Sequence, residues 1–110
     1  MSSLAEMKTL ANLLRRKFTD YEQSQGCRAW SRSDIVMGFV GDVGALAKLT
    51  MAADGLRKTP DHQKKLGHEL ADCLWSLLVI ADEYQVNLED EFNLLCDHLM
   101  RSLDKTARQS

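Results

Sequence analysis

The stretch His68–Tyr84, HELADCLWSLLVIADEY, decides the fold, because its apolar residues recur at helical spacing. An α-helix turns by about 100° per residue, so this pattern can be projected onto a wheel. One side of the helix carries a first apolar group and the other side carries a second. The first group is Leu66, Leu70, Leu77 and Tyr84, and the second is Ala71, Trp75, Leu78 and Val79. A helix that is apolar nearly all round is buried on both sides.

Burial of one helix on two sides bears on oligomeric state. Four helices in one small chain rarely surround a central helix so completely, so the pattern predicts self-association as a homodimer or tetramer. Trp75 is a candidate for the interface, because large apolar patches seldom stay bare in water. The alternative is a monomer that leaves Trp75 exposed.

The sequence on either side of this stretch predicts three further helices. Apolar residues three or four apart predict a first helix over about Ser3–Tyr21 and a second over about Asp34–Ala53. Ser33 is predicted to cap the second helix, and Pro60 suits the entry of the third. Asn87 is predicted to cap a fourth helix.

The fourth helix completes a single all-α domain spanning residues 1–110, predicted as a four-helix bundle. Its apolar residues are Leu88, Phe92, Leu95, Leu99 and Leu103. Residues 103–110 are predicted to form a frayed tail. The chain contains one proline and six glycines, too few for a turn-rich all-β fold.

Composition excludes several classes of function. The 110 residues carry a net charge of −2, which gives no electrostatic footprint for nucleic acid. No apolar run reaches the length of roughly 18 residues that a membrane span needs, so no membrane partner is expected. Cys27, Cys73 and Cys96 are odd in number and lack C-x-x-C spacing. They predict reduced thiols and a cytoplasmic location.

Two carboxylates, Glu69 and Asp72, lie three residues apart and therefore on neighbouring parts of one helix face. Adjacent acids repel, so a partly buried pair favours a cation between them. Oxygen ligands suit Mg²⁺ or Mn²⁺ better than zinc. The alternative is a solvated acidic edge in which Lys65 pairs with Glu69 at i,i+4.

Asp42 is the only charged residue between Ile35 and Ala47, and on the wheel it falls within the apolar face of the second helix. Burial of an unpaired carboxylate is costly, so Asp42 requires a cation, strong donors or a proton. A metal shared with Glu69 and Asp72 meets this need. An ion pair with Arg or Lys, or a helix-capping role, would meet it equally.

The segments GDVGALAKL (residues 41–49) and HELADCLWSLLVIADEYQVNLEDEF (residues 68–92) resemble the MazG-like all-α nucleotide pyrophosphohydrolases. The resemblance covers about residues 30–103. It implies that Asp42, Glu69 and Asp72 bind Mg²⁺ or Mn²⁺. It further implies that a metal-bound water, the only catalytic group expected, splits a nucleoside triphosphate into the monophosphate and pyrophosphate.

The first acidic motif departs from the family pattern. Where the family has Glu-x-x-Glu, this chain has Asp42 and Ala45, and Gly41 replaces a preceding Glu. Three acids can hold one Mg²⁺ with water in the remaining positions, but not a multi-metal cluster. A stripe of small residues, Gly38, Gly41, Ala45 and Ala52, also has a packing explanation.

Substrate-binding residues have weaker signals. Trp30 precedes the second helix, where relatives often place an aromatic residue near the nucleobase, although a core or interface role is the alternative. Lys48 and Arg101 could contact phosphates, or could be solvated charges. His68 points about 100° away from Glu69, which favours a surface role.

These observations predict a cytoplasmic, Mg²⁺-dependent nucleoside triphosphate pyrophosphohydrolase of the MazG-like type. The alternative is a catalytically silent relative that binds nucleotides or pairs helices. Gly41 and Ala45 favour the silent relative, whereas the position of Asp42 and the intact ELAD segment favour the enzyme.

Overall fold

The computed structural model describes residues 3–109, which form four α-helices and no strand. All four predicted helices are present, so the all-α fold class is confirmed. The connections between them are short and contain two glycines with positive φ, Gly26 and Gly55. The helices are α1 (Leu4–Ser24), α2 (Arg32–Ala53), α3 (His62–Glu83) and α4 (Leu88–Gln109).

Side-chain caps fix the starts of three helices. Ser3 caps α1 through a reciprocal capping box with Glu6. The cap of α2 is Ser31 rather than the predicted Ser33. The Ser31 hydroxyl accepts a hydrogen bond from the backbone N–H of Asp34, and the Asp34 carboxylate accepts one from the backbone N–H of Ser31. Asn87 caps α4 as predicted, accepting from the backbone N–H of Asp90 at 3.0 Å.

The helix α3 is central, with α2 packed along one side and α1 along another. Val79 is fully buried at the middle of this arrangement, and Ala11, Ile35 and Leu78 surround it. The polar Ser76 is also buried, at 4% exposure. The core is therefore a three-helix core in which α3 supplies the largest share.

Trp75 packs inside the chain. Its indole Nε1 donates a hydrogen bond to the carbonyl oxygen of Ala11 at 3.2 Å. The Phe18 ring meets the indole edge-on, with 6.3 Å between the centroids. Trp75 therefore packs against α1 of the same chain, and its role at an interface between chains stays a prediction.

The helix α4 extends away from the other three and has no buried residue. Its first residue, Leu88, packs against the core, but α4 packs along none of the other helices. The radius of gyration is 18.0 Å, against about 13 Å for a compact domain of this length. The predicted four-helix bundle is therefore not closed within one chain.

Two further predictions concern α4 and α2. The helix α4 continues through Gln109, so residues 103–109 of the expected frayed tail are helical, and Ser110 lies outside the described residues. The sequence predicted no apolar run long enough to span a membrane, whereas α2 is long and apolar enough to do so by length and composition alone. The core helix of a soluble protein and a signal sequence pass the same test.

Candidate functional site

Three carboxylates meet where α2 crosses α3. Asp42 comes from α2, and Glu69 and Asp72 come from positions three residues apart on α3. One oxygen atom of each lies within 4.8 Å of the others, and all three side chains are half-buried. The structure therefore brings together the three residues that the sequence predicted as metal ligands.

The packing of α2 on α3 explains this convergence. The α2·α3 interface is the more extensive of the two that α3 makes, so the side of α2 that carries Ile35 faces α3. Asp42 lies two turns after Ile35 on that side, and Glu69 and Asp72 lie on neighbouring parts of one face of α3. The carboxylates consequently point into one gap between two rigid helices.

Glu69 is the electrostatic centre of the site. Its Oε1 atom is buried and has no hydrogen-bond partner among the described residues. Burial raises the pKa of Glu69, and the neighbouring carboxylate of Asp42 raises it further, followed by Asp72. The site therefore favours a proton on Glu69 or a cation beside it.

Neither an ion pair nor a helix cap accounts for Asp42 or Glu69 in residues 3–109. No Lys or Arg of residues 3–109 forms an ion pair with Asp42 or Glu69, and this includes the Lys65–Glu69 pair considered above. Asp42 also caps no helix in that range. Two of the structural explanations for these carboxylates are thereby removed.

Two further side chains adjoin the cluster, His68 and Cys73. The imidazole Nε2 of His68 lies 3.3 Å from Oδ2 of Asp72, while the ring itself is exposed, as the sequence predicted. Burial, followed by the charges of Asp42, Glu69 and Asp72, raises the pKa of the Cys73 thiol. Cys73 is therefore held in its protonated, unreactive form.

An aromatic cavity adjoins the carboxylates. A cavity of about 250 Å³ is lined by Phe18, Trp30, Ile35 and Trp75, with Arg15 at its edge. A larger open cleft of about 520 Å³ shares these apolar residues and continues to Asp42 and Asp72. One continuous groove thus offers flat apolar surfaces at one end and carboxylates at the other.

Trp30 reaches this groove because of two local features. Its backbone N–H donates to the Glu22 carboxylate at 3.1 Å, which ties the α1–α2 connection to α1. Gly38 has no side chain, and a Cβ atom there would lie 3.0 Å from the Trp30 ring. The ring is 53% exposed, so one side remains open to the groove.

The small residues of α2 do not share one explanation. Gly38 accommodates the Trp30 ring, and Ala52 is buried. A Cβ atom on Gly41, in contrast, would meet nothing within 4 Å. Close helix packing within the chain therefore does not explain Gly41, the position at which the family resemblance expects a carboxylate.

The structure places other candidate residues away from the site. Lys48 is exposed on α2 and lines neither opening beside the carboxylates. Arg101 lies on α4, is 81% exposed and pairs with Asp97 at 3.2 Å. The cations that do flank the cluster are Lys64 and Lys65, which border a second opening that includes Glu69.

Sequence reasoning missed part of the groove because its residues come from α1. Phe18 was recognised only as one apolar position of an amphipathic helix, and Arg15 carried no signal. The Arg15 guanidinium pairs with Glu83 at 2.9 Å, and one of its nitrogens is buried without a hydrogen-bond partner. No motif spacing links α1 to the carboxylates, since the link is made only by the folded chain.

No protein-family model, curated protein or solved structure matches this chain.

Proposed function

We propose that this chain is a Mg²⁺- or Mn²⁺-dependent nucleoside triphosphate pyrophosphohydrolase of the MazG-like type. The observation that carries the proposal is Glu69 Oε1, a buried acceptor without a partner that lies between two further carboxylates. Hard divalent cations take oxygen ligands of this kind. The donor set and its unpaired oxygen fit such a cation.

Asp42, Glu69 and Asp72 would hold the cation. When bound, it would neutralise phosphate charge and lower the pKa of water in its coordination shell. The proposed reaction adds water across the bond between the α- and β-phosphates, which yields the nucleoside monophosphate and pyrophosphate. His68, beside Asp72, would orient that carboxylate, and Lys64 and Lys65 would attract the phosphates.

The aromatic end of the groove supports a nucleotide rather than a free phosphate as the substrate. Trp30, Phe18 and Trp75 present apolar ring surfaces beside the carboxylates. A nucleobase is flat and stacks on aromatic side chains. The groove would therefore bind the base at Trp30 while the triphosphate extends toward Asp42 and Asp72.

A second candidate is a catalytically silent relative that binds nucleotides or pairs helices. Gly41 and Ala45 favour it, because the site has three carboxylates where the family pattern has more. In this case a nucleotide would bind in the same groove without turnover.

A hydrolysis screen tests both candidates. The common NTPs and dNTPs are incubated with wild type and Mg²⁺ or Mn²⁺, and monophosphate and pyrophosphate are quantified by chromatography. The enzyme requires equal amounts of both products, which Glu69→Ala abolishes. Binding without turnover supports the silent relative.

Metal binding is measured separately by thermal denaturation. A ligand that binds only the native state stabilises it by about 2.7 kcal/mol at a hundredfold excess over its dissociation constant. Millimolar Mg²⁺ or Mn²⁺ should raise the Tm of wild type, and Glu69→Ala should remove the increase. An unchanged Tm in wild type would contradict the metal site.

A further inference from the structure

Two side chains of opposite charge line the aromatic cavity from α1. Of the described residues around the cavity, Arg15 is the only cation and Glu22 is the only anion. They are seven residues apart, almost two full turns, so both lie on the same side of α1. This side of the cavity therefore offers a charged hydrogen-bond donor and a charged acceptor to one ligand.

Arg15 has donor capacity that the protein leaves unused. Its Nη2 atom pairs with the Glu83 carboxylate at 2.9 Å, which holds the guanidinium in place. Its Nη1 atom is buried and has no hydrogen-bond partner among residues 3–109. An unsatisfied buried donor costs free energy, and a hydrogen bond from a charged donor is stronger than one between neutral groups. An oxygen atom of a ligand beside Arg15 would remove this cost.

Glu22 has acceptor capacity to spare and is also held in place. Its Oε2 atom accepts a hydrogen bond from the backbone N–H of Trp30 at 3.1 Å. Its Oε1 atom accepts no hydrogen bond from any of residues 3–109. The same hydrogen bond ties the carboxylate to the residue whose ring would stack on a base.

The order of donors and acceptors along a base edge decides which base fits this pair. Guanine presents the acceptor O6 and then two donors, N1–H and the N2 amine. O6 would accept from Arg15, and the two donors would pair with Glu22. Adenine has a donor in place of O6 and an acceptor at N1, so it opposes like groups at both positions. Hypoxanthine lacks the N2 amine, and uracil has an acceptor there.

We propose that the aromatic cavity selects guanine nucleotides, and that Arg15 and Glu22 determine this specificity. The faces of the base pack against Trp30 and Phe18, and its Watson–Crick edge faces α1. The cavity of about 250 Å³ is smaller than the range of about 300–1,000 Å³ typical of whole small-molecule sites, so it suits the base alone. The inference rests on the proposed function, which makes a nucleotide the ligand of the groove.

Binding of nucleoside monophosphates tests this selection without metal and without turnover. Isothermal titration calorimetry gives the dissociation constants of wild type for GMP, IMP, AMP and UMP, whose common phosphate contributes equally to each. Loss of one hydrogen bond to a charged side chain weakens binding by about tenfold. We expect GMP to bind most tightly, IMP about tenfold more weakly, and AMP and UMP more weakly still.

Three results would overturn the selection: equal dissociation constants for GMP and AMP, tighter binding of AMP or UMP, or no binding of any of the four. The hydrolysis screen judges the proposed function separately. Hydrolysis of GTP and ATP with equal kcat/KM would leave the proposed function intact and contradict only the selection of guanine. Selective binding of GMP without turnover would do the reverse.

The variant Glu22→Gln tests the acceptor. Its amide oxygen can keep the hydrogen bond from Trp30, which turns the amide NH₂ group toward the donors of guanine. We expect the preference for GMP over IMP to disappear. The matched control is Asp20→Asn, which removes the charge of an exposed acid outside the cavity on the same helix and should retain the preference.

The variant Arg15→Lys tests the donor. A lysine ammonium can pair with Glu83 but has no second nitrogen for O6 of the base. We expect GMP and IMP to lose affinity by about tenfold while AMP changes little. The control Arg16→Lys, at an exposed position outside the cavity, should bind all three as wild type does. Circular dichroism compares the helical content of each variant with that of wild type, and unchanged selectivity in both Glu22→Gln and Arg15→Lys would overturn the proposal.

Discussion

Among the three carboxylates, Glu69 has the environment that differs most from that of an ordinary surface acid. Desolvation and the charges of Asp42 and Asp72 both disfavour its ionised form. In the folded protein without metal, Glu69 therefore binds its proton more tightly than it does in the unfolded chain. This difference couples stability to pH.

The sign of that coupling gives a first prediction. Because the folded-state pKa is raised, the contribution of Glu69 to stability is fully present below the unfolded value of 4.5 and is lost as pH rises through the folded value. Without metal, wild type should therefore lose stability relative to Glu69→Gln as pH increases above 4.5. Urea denaturation of both proteins between pH 4 and pH 8 measures the difference. Parallel pH profiles would contradict the raised pKa.

The open space at Gly41 gives a second prediction. Gly41→Glu adds a carboxylate near Asp42 without a steric conflict at Cβ, so it should tighten Mg²⁺ binding. The control is Gly41→Ala, which should stabilise the helix by about 0.5–1 kcal/mol without changing the response to metal. The Tm is measured for both variants with and without Mg²⁺. Equal metal responses would show that position 41 does not reach the site.

The variant Ala45→Glu tests whether a carboxylate at position 45, three residues after Asp42, also joins the metal site. Ala45 is half-buried, so a Glu there either joins Asp42 in the gap or overpacks a helix contact. The second outcome would destabilise the protein by about 1–3 kcal/mol. A higher Tm in Mg²⁺ and a higher turnover are expected if position 45 belongs to the metal site. A destabilised variant without a metal response would remove this position from the site.

At the scale of the elements, the start of α2 offers a clean comparison of two serines. Ser31 accepts from the backbone N–H of Asp34, and the Asp34 carboxylate accepts from the backbone N–H of Ser31 at 2.9 Å. That hydrogen bond, and then the guanidinium of Arg28, lower the pKa of Asp34. Ser33 lies inside the helix instead.

Alanine substitutions at these two serines give a third prediction. Ser31→Ala removes the cap and should reduce the free energy of unfolding by about 1 kcal/mol. Ser33→Ala should leave it nearly unchanged or raise it slightly, because Ala has the higher helix propensity. Chemical denaturation of both variants provides the measurement. An equal loss at the two positions would contradict the observed cap.

The elements also show how far the sequence could predict the fold. The periodicity located all four helices, and Asn87, a preferred capping residue directly before Leu88, was correctly predicted as the cap of α4. The cap of α2 was also readable from the sequence, because Asp34 stands three residues after Ser31 at the spacing of a capping box, whereas Val36 stands three residues after Ser33. The prediction of Ser33 overlooked this spacing.

The candidate site was predictable to a similar degree. Spacing alone placed Glu69 and Asp72 on one face, and the apolar surroundings of Asp42 indicated a special role. The aromatic groove was not predictable, because Phe18 reaches Trp75 only through the packing of α1 on α3. The prediction that Arg101 contacts phosphates depended on the direction of α4 relative to the other helices, which the sequence alone does not determine.

At the scale of the whole molecule, the two apolar sides of α3 predicted self-association. In the described chain α1 packs against the side that carries Trp75, whereas Leu70 and Leu77 on the other side stay exposed. Periodicity reports which side of a helix avoids water, but not which element covers that side. Large apolar side chains remain exposed on all four helices, among them Leu10 of α1, Met37 of α2, Leu70 of α3 and Leu103 of α4. Self-association therefore stays a prediction.

The predicted self-association gives a fourth prediction at this scale. Folding and association are linked by mass action, so the Tm of wild type should rise with protein concentration. Calorimetry over a hundredfold range of concentration makes the comparison. A concentration-independent Tm for wild type would count against a dimer coupled to folding.

The contrasting positions of the two tryptophans have an optical consequence. Trp75 lies against Phe18 with its indole N–H bonded to a carbonyl, whereas Trp30 is more than half exposed at the mouth of the groove. An indole in apolar surroundings emits at shorter wavelengths than one in water, so the two emissions separate. A molecule entering the groove displaces water from Trp30 first. The unlabelled protein therefore carries its own reporter of occupancy, and Trp75→Phe would leave that reporter alone in the spectrum.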